Sequence, residues 1–364
     1  MQDIRLLIID TNPMIYDGIL SFIFNSVENM DRADMSIDFV AINNVEISIR
    51  NRIKKMDAGL YILTYRARNP LKYIISLAKL IKKNQYTVIH VHGSSCIMAI
   101  ELLAARIAGV PCCPHSHNTN CQHIRIHYLL RPLFLLLYKH GFACGEKAGE
   151  WIYGKKKFDI IKNGIGLEKY RYSENKRREY RKIYGLLPND VGIIHIAHFT
   201  EVKNHVFMIN VLKKVVEVSK HYKLLLVGQG KLENPIKEKV RELGLQENVV
   251  FVGITQKVSQ LLSACDVMVL PSLYEGFPFT AIEAQASGIN CIFSDAVTRE
   301  CELSKNITYL ELDEELWVAS ILENSRSFDR DKMSAQNIQN IKDSGYDIEK
   351  SVGRLKGLYK KYGK

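Results

Sequence analysis

Apolar, β-branched runs alternate with amphipathic helical stretches along this chain, and the restart of that alternation halfway along limits its fold more than any other feature. "IRLLIID", "SIDFVAI", "LYILTY", "TVIHVHG", "PCCPHSH" and "GFACG" come first, with helical patterns such as "NPLKYIISLAKLIKKN" separating several of them. Runs that are apolar at nearly every position are buried on both faces, as strands of a parallel sheet are. After "FDIIKNGIGLEKY" a second set begins: "GIIHIAH", "KLLLVGQG", "VVFVGI", "DVMVLPS" and "NCIFSDA". The economical reading is α/β, with two Rossmann-like doubly wound domains joined near Asn163 and Gly164. A chain of 364 residues is long enough for two cores. Ligands in open sheets sit beyond the carboxyl ends of the strands, so two such domains facing each other are expected to make a central cleft.

Formal net charge is +11, and the excess lies in the first half: residues 1–165 hold 21 lysines and arginines against 13 acids. A surplus of that sign serves a phosphorylated substrate, an anionic bilayer, a nucleic acid or solubility alone. Here the basic residues are dispersed over helices, which speaks against nucleic acid. "YLLRPLFLLLY" is interrupted by Arg131 and Pro132 and is too short to span a bilayer. Residues 124–139 instead join an apolar surface to Arg125, Arg131 and Lys139, which suits either a helix lying in a membrane interface or a buried helix of the N-terminal domain. The eight cysteines are scattered, and "MQDIRLLIID" reads as a strand rather than a leader. A cytoplasmic setting is expected, peripheral at the inner face of the cell membrane.

"CCPHSHNTNCQH", residues 112–123, has the composition of a metal site. Its spacing is against one. Adjacent cysteines on a strand point to opposite faces, and the C-x2-4-C pairs of structural zinc sites are missing. No metal is expected there, and no aspartate-x-aspartate pair suited to a metal-bound diphosphate is apparent. His90, His92 and His115 are read as bracing the sheet.

The most specific segment is "LPSLYEGFPFTAIEAQASG", residues 270–288, where Glu275 and Glu283 flank seven residues. Pro278 has the fixed φ of a first helical turn, "TAIEAQAS" favours a helix, and Gly288 suits its carboxyl end. Gly276 and Phe277 would then offer backbone N–H groups at a strand-to-helix turn, where a sugar diphosphate can bind. The segment resembles the E-x7-E signature of the retaining glycosyltransferases of family 4, of the capsular and exopolysaccharide type, with the GT-B fold. The likeness continues through "KNH" (Lys203 to His205), "LLLVGQG" with Gly228, "ENVVFVG" with Gly253, and "IIKNGI".

That resemblance implies an acceptor-binding domain over residues 1–165, a nucleotide-sugar domain over 166–345, and a C-terminal helix, 346–364, packing back on the first. It assigns Glu283 to the nucleotide ribose, Glu275 to hydroxyls of the donor sugar, Lys203 to the diphosphate, and His117 in "HSHN" to the donor sugar and acceptor. Gly18, Gly228, Gly253, Gly276, Phe277 and Pro278 join the donor-binding set. Two positions depart from the family pattern. Ala197-His198 stands where a Gly-Arg pair is usual; an arginine is permanently charged and bidentate, whereas a histidine carries a full charge only where a partner holds its proton. In "YDGILSF" only Gly18 matches the usual glycine pair, and Asp17 sets a negative charge near an expected phosphate.

The activity implied is retaining, metal-independent transfer of a hexose or N-acetylhexosamine from a nucleotide diphosphate, UDP by expectation. The acceptor would be lipid-linked or an oligosaccharide in surface polysaccharide synthesis. No cofactor is called for, because the nucleotide sugar is the substrate. Lysine and helix dipoles would neutralise the leaving diphosphate. The alternatives are a sugar-nucleotide epimerase on the same fold and a basic nucleic-acid-binding protein.

Overall fold

The computed structural model describes residues 4–275, 277–325 and 329–363, and the chain divides into two compact units. The first runs to Ile165 and resumes at Gly345; the second is Gly166–Ser344.

In the first unit, strands β1 (Ile4–Asp10), β2 (Met35–Ala41), β3 (Gly59–Ile62), β4 (Val88–Gly93), β5 (Cys112–Ser116), β6 (Phe142–Ala143) and β7 (Asp159–Ile160) form one sheet in the order β3-β2-β1-β4-β5-β6-β7. Every pairing is parallel. Both faces of β1 are covered, as its unbroken apolar run requires. Leu7 and Ile9 pack with Val91, Leu77 and Leu102, on the side of helices Pro70–Lys83 and Ala99–Ala108. Leu6 and Ile8 look the other way, toward Phe22 and Ile23 of helix Gly18–Glu28 and Leu355 and Tyr359 of helix Ile348–Tyr362.

That last helix is fastened to the first unit by chemistry at both ends. Near its start, Ser351 Oγ donates to the Lys162 carbonyl at 2.7 Å, and Ile165 bridges to Asp347. A Cβ on Gly164 would lie 2.8 Å from the Ile348 Cα, so the glycine lets the two segments touch. Farther along, Lys356 pairs with Asp31 and Asp34, and Lys360 with Asp34.

The second unit repeats the plan with β8 (Val191–Ile196), β9 (Tyr222–Val227), β10 (Val249–Gly253), β11 (Val267–Leu270), β12 (Asn290–Ser294) and β13 (Ile307–Leu310), ordered β10-β9-β8-β11-β12-β13 and all parallel. Ile193, Leu224, Leu226, Val267 and Val269 pack against Met208, Leu212 and Val215 of helix His205–Val218 and against Trp317. In each sheet the winding direction reverses beside the first strand, between β1 and β4 and between β8 and β11. Such a switch point leaves a crevice at the strand ends, and the candidate residues sit there. Strands β7 and β13 had no counterpart among the apolar runs of the sequence. Among the described residues no helix is long and apolar enough to cross a membrane.

Candidate functional site

The second unit gathers most of the candidate residues around the carboxyl ends of β8 to β11. Gly228, just after β9, has φ +139°, and a Cβ there would lie 2.1 Å from the Ala197 carbonyl oxygen. Only glycine lets the ends of β8 and β9 approach this closely. Its N–H donates to the Gly253 carbonyl at 3.0 Å, which ties β10 into the same rim. Gly253 itself has φ +75°. His198 stands exposed on the rim, with Nδ1 3.3 Å from the Gln229 carbonyl.

Lys203 ends a short 3-10 turn, Glu201–Lys203, and Asn204 follows in the left-handed region at φ +54°. Asparagine tolerates that conformation, so the chain can reverse there and enter helix His205–Val218. The turn is pinned from two sides. The Leu273 N–H donates to the Val202 carbonyl at 2.8 Å, and the buried His195 ring lies 3.1 Å from the Lys203 carbonyl through Nε2 and 3.0 Å from the Val269 carbonyl through Nδ1. Burial lowers the His195 pKa to about 4, so the ring is neutral and donates to one carbonyl at a time.

The pinned turn aims the Lys203 ammonium at Glu275, and the two form an ion pair. Glu275 Oε1 also accepts from Ser272 Oγ at 2.9 Å, and Ser272 in turn receives a 2.5 Å hydrogen bond from Ser294 Oγ on its carbonyl. The carboxylate is thus held by two donors at the end of β11. Glu283, one turn into helix Phe279–Ala286, is half-buried, and Tyr170 Oη donates to its Oε1 at 2.6 Å. Burial raises the Glu283 pKa, and the Tyr170 hydrogen bond opposes that rise.

Several expectations need correction. Pro278 is the residue before the helix, at φ −75° and ψ 114°, rather than part of its first turn. Phe279 and Thr280 therefore head the helix. Phe277 sits half-buried with its ring edge-on to Phe279, and Gly276 lies outside the described residues. Gly288 does follow the helix, at φ +67°, one residue after the cap Ser287. Asp17 caps helix Gly18–Glu28, accepting from the Leu20 N–H at 2.8 Å, so its charge answers the positive end of that helix. Gly18 is the first residue of the helix and is exposed. Gly345 falls in the first unit, one residue short of the expected boundary. Asp329-Arg330-Asp331 does have aspartate-x-aspartate spacing, but Asp329 caps helix Arg330–Asp343 and Arg330 is buried against carbonyls of Leu262 and Cys265.

Tyr170 was not picked out from the sequence. It lies in "GLEKY", a stretch that reads only as a junction, and nothing local marks a tyrosine as the partner of a glutamate 113 residues on.

In the first unit, His117 follows β5, half-buried, with Nε2 2.9 Å from Nδ1 of His92. Burial pushes its pKa down to about 3 and pushes those of His90, His92 and His115 well below the ordinary value. His90, His92 and His115 bring ring nitrogens within 4.8 Å of one another, the spacing of a metal cluster. His90 Nε2 and His115 Nδ1 face each other at 3.1 Å, within hydrogen-bonding distance, while the His90 and His92 rings lie tilted at 44° with centroids 3.9 Å apart. Cys112 and Cys113 are both buried with thiol pKa values pushed upward, which keeps them protonated, and all eight cysteines are free.

Two doubly wound parallel units, one with a lysine and two glutamates at the rim of its sheet, define the architecture of a GT-B glycosyltransferase. Solved structures share it: HepE (Alr3699) of Anabaena, crystallised with UDP, superposes with a TM-score of 0.77 at 17% identity, over 98% of this chain and 100% of that one. The family described as glycosyl transferases group 1 matches residues 176–308. Glycosyltransferase EpsF of Bacillus subtilis (strain 168) is 31% identical over 359 residues, covering 94% of this chain and 93% of that protein. The UDP-Gal:alpha-D-GlcNAc-diphosphoundecaprenol alpha-1,3-galactosyltransferase of Escherichia coli is 28% identical, covering 79% of each. The chain belongs to the glycosyl transferases group 1 family, and it is a transferase rather than an epimerase or a nucleic-acid-binding protein.

Proposed function

We propose that the protein transfers a hexose or N-acetylhexosamine from UDP, with retention of anomeric configuration and without a metal, to a lipid-linked or oligosaccharide acceptor in surface polysaccharide synthesis. The observation that carries this reading is the Lys203–Glu275 pair, pinned at the strand ends of the second unit beside the helix that carries Glu283. Two similar proteins add support: the name of the E. coli relative specifies a UDP-sugar donor and a diphosphoundecaprenol-linked acceptor, and HepE was crystallised with UDP.

In this reading Glu283, braced by Tyr170, accepts from the ribose hydroxyls, and Glu275 accepts from hydroxyls of the sugar. The donor diphosphate competes with Glu275 for Lys203, so the ammonium turns from carboxylate to phosphate as the donor settles. The bond from the anomeric carbon to the diphosphate oxygen breaks, the acceptor oxygen bonds to that carbon from the same face, and the acceptor proton passes to the departing phosphate. Lys203 offsets the charge that develops on the diphosphate. His117, neutral through its burial, contacts the sugar or acceptor as a hydrogen-bonding group rather than as a cation.

A cytoplasmic protein held at the membrane surface fits helix Ile124–Leu137. Only His127 and Phe134 of that helix are buried, whereas Ile126, Leu129, Leu133 and Leu136 form an exposed stripe, with Leu129 76% and Leu136 80% exposed. Arg125, Lys139 and Lys155 to Lys157 are exposed around it. An apolar stripe with basic flanks suits an anionic bilayer.

A panel of nucleotide sugars, each supplied in EDTA with and without a diphosphate-linked lipid sugar, tests the reading. Release of nucleoside diphosphate that requires acceptor and survives chelation, with an anomeric product of unchanged configuration by NMR, is expected. Loss of turnover on chelation, restored by one added metal, contradicts it.

A further inference from the structure

The four stacked histidines of the first unit form two hydrogen-bonded strings, and the proton count of those strings has consequences. β4 sends His90 and His92 to one face of the sheet, and the parallel register sets His115 beside His92. In one string Tyr359 Oη lies 2.5 Å from His90 Nδ1, and His90 Nε2 lies 3.1 Å from His115 Nδ1. In the other, His92 Nδ1 lies 2.9 Å from His117 Nε2. A neutral imidazole has one N–H and one bare nitrogen, so every contact between two such rings needs one donor and one acceptor.

The first string has a preferred direction. If the Tyr359 hydroxyl donates to His90, then His90 Nε2–H donates to His115 and only the Nε2–H of His115 is left over, at a nitrogen that is buried without a partner. The reverse order leaves both the phenol hydrogen and that nitrogen unused. Fewer orphaned groups favour the first arrangement. This string is closed at Tyr359 and is not linked to His117.

The second string is the one that reaches partly exposed surface. His117 Nε2 is occupied by His92, which leaves Nδ1 as the nitrogen free to meet a ligand. The backbone around the pair is fixed as well: the His117 N–H donates to the Gly93 carbonyl at 3.1 Å, and Thr11 donates to the His92 carbonyl through its N–H at 3.0 Å and its hydroxyl at 2.8 Å. Phe22 packs edge-on to the His117 ring at 5.3 Å and limits its rotation.

We infer that His92 is a positioning residue for His117: by holding Nε2 it fixes the ring orientation and couples the His117 tautomer to its own, so that His117 meets sugar or acceptor through Nδ1. This rests on the reading above that His117 touches the reacting partners. His92 itself is buried and touches neither.

Long-range 1H–15N correlation of ring-labelled histidines reports which nitrogen of a neutral imidazole carries the proton, independently of activity. In His92→Leu the balance of His117 tautomers should differ from that of the native protein, and kcat should fall about ten- to a hundredfold while donor KM stays within about twofold, because misorientation acts on the reacting geometry more than on binding. His92→Asn, whose amide group falls near the position of Nδ1, should fold and recover kcat to within about threefold of the native value. An unchanged His117 tautomer in His92→Leu, or an unchanged kcat, overturns the inference. His117→Leu separates it from the reading on which it rests: full turnover in that variant removes His117 from the reaction, while the NMR spectrum still decides whether His92 sets the ring.

Discussion

The two units share a winding plan and differ in how their strand ends are charged. In the second, the site residues hold partners: Lys203 forms an ion pair with Glu275, and Glu283 accepts a hydrogen bond from Tyr170. In the first, the residues at the equivalent sheet ends are four imidazoles that burial keeps neutral. A site made of opposite charges can exchange a partner for an anionic ligand. A site made of neutral rings can only orient hydrogen bonds. In the proposed reading the first arrangement would capture a diphosphate and the second would position an uncharged hydroxyl.

Lys203→Ala should give the largest effect, since it removes the cation set against the diphosphate. Turnover should fall about a hundred- to a thousandfold. Activity within about tenfold of native would place the diphosphate elsewhere. The first unit should be insensitive to this change.

Membrane attachment is expected of the first unit alone. Replacing Leu129 and Leu136 together by glutamate should weaken binding to anionic vesicles at least tenfold, because it removes two apolar side chains and adds two negative charges, and native binding should fall with added salt. Equal native binding to neutral vesicles contradicts the account.

Acid should also separate the units. The four histidines of the first unit have folded pKa values below the ordinary 6.5, so the unfolded chain takes up protons first as pH falls. Their contribution to stability is complete above pH 6.5 and is lost progressively below it. Among the described residues of the second unit only two such histidines, His195 and His205, act the same way, and Glu283 runs the opposite way: its folded pKa lies above 4.5, so its contribution declines as pH rises from 4.5. The chain has two tryptophans, Trp151 in the first unit and Trp317 in the second. Single-tryptophan variants can follow each unit in urea melts at pH 7.5 and 5.5. The Trp151 transition should weaken more, and His115→Phe should reduce its slope; parallel loss in both units contradicts the account.

Tyr170→Phe should have the smallest effect. It deletes one hydrogen bond to Glu283, and UDP affinity should drop by roughly three- to tenfold, within the net worth of about 0.5 to 1.5 kcal/mol of a typical hydrogen bond. No change in UDP affinity would make Tyr170 a packing residue only.

The fold was legible from the sequence because its strands are buried on both faces and so read as apolar runs. The two it did not show explain themselves: β7 is two residues long, and β13, "ITYL", is half-buried along its length and carries no continuous apolar signal. Within the candidate site, Glu275, Glu283 and Lys203 stand out through local spacing. Tyr170 and the His92–His117 contact do not, because one spans 113 residues and the other depends on strand register. Asp17 was misplaced for a related reason: a cap is recognised by where its helix begins, and the residue that starts this one, Gly18, is a weak helix former.

The central claim is that Glu275 and Glu283 grip opposite ends of one donor. Calorimetry with UDP alone, set beside kinetics with the intact donor, tests it directly. Glu283→Ala should weaken binding of free UDP by roughly ten- to a hundredfold, because it removes a charged acceptor worth about 1.5 to 3 kcal/mol from the ribose. Glu275→Ala should leave UDP binding almost unchanged and lower turnover instead, since contacts to the sugar act as its bond to the diphosphate breaks. Equal weakening of UDP by both substitutions, or a lowered melting temperature as the only effect of both, would contradict the account.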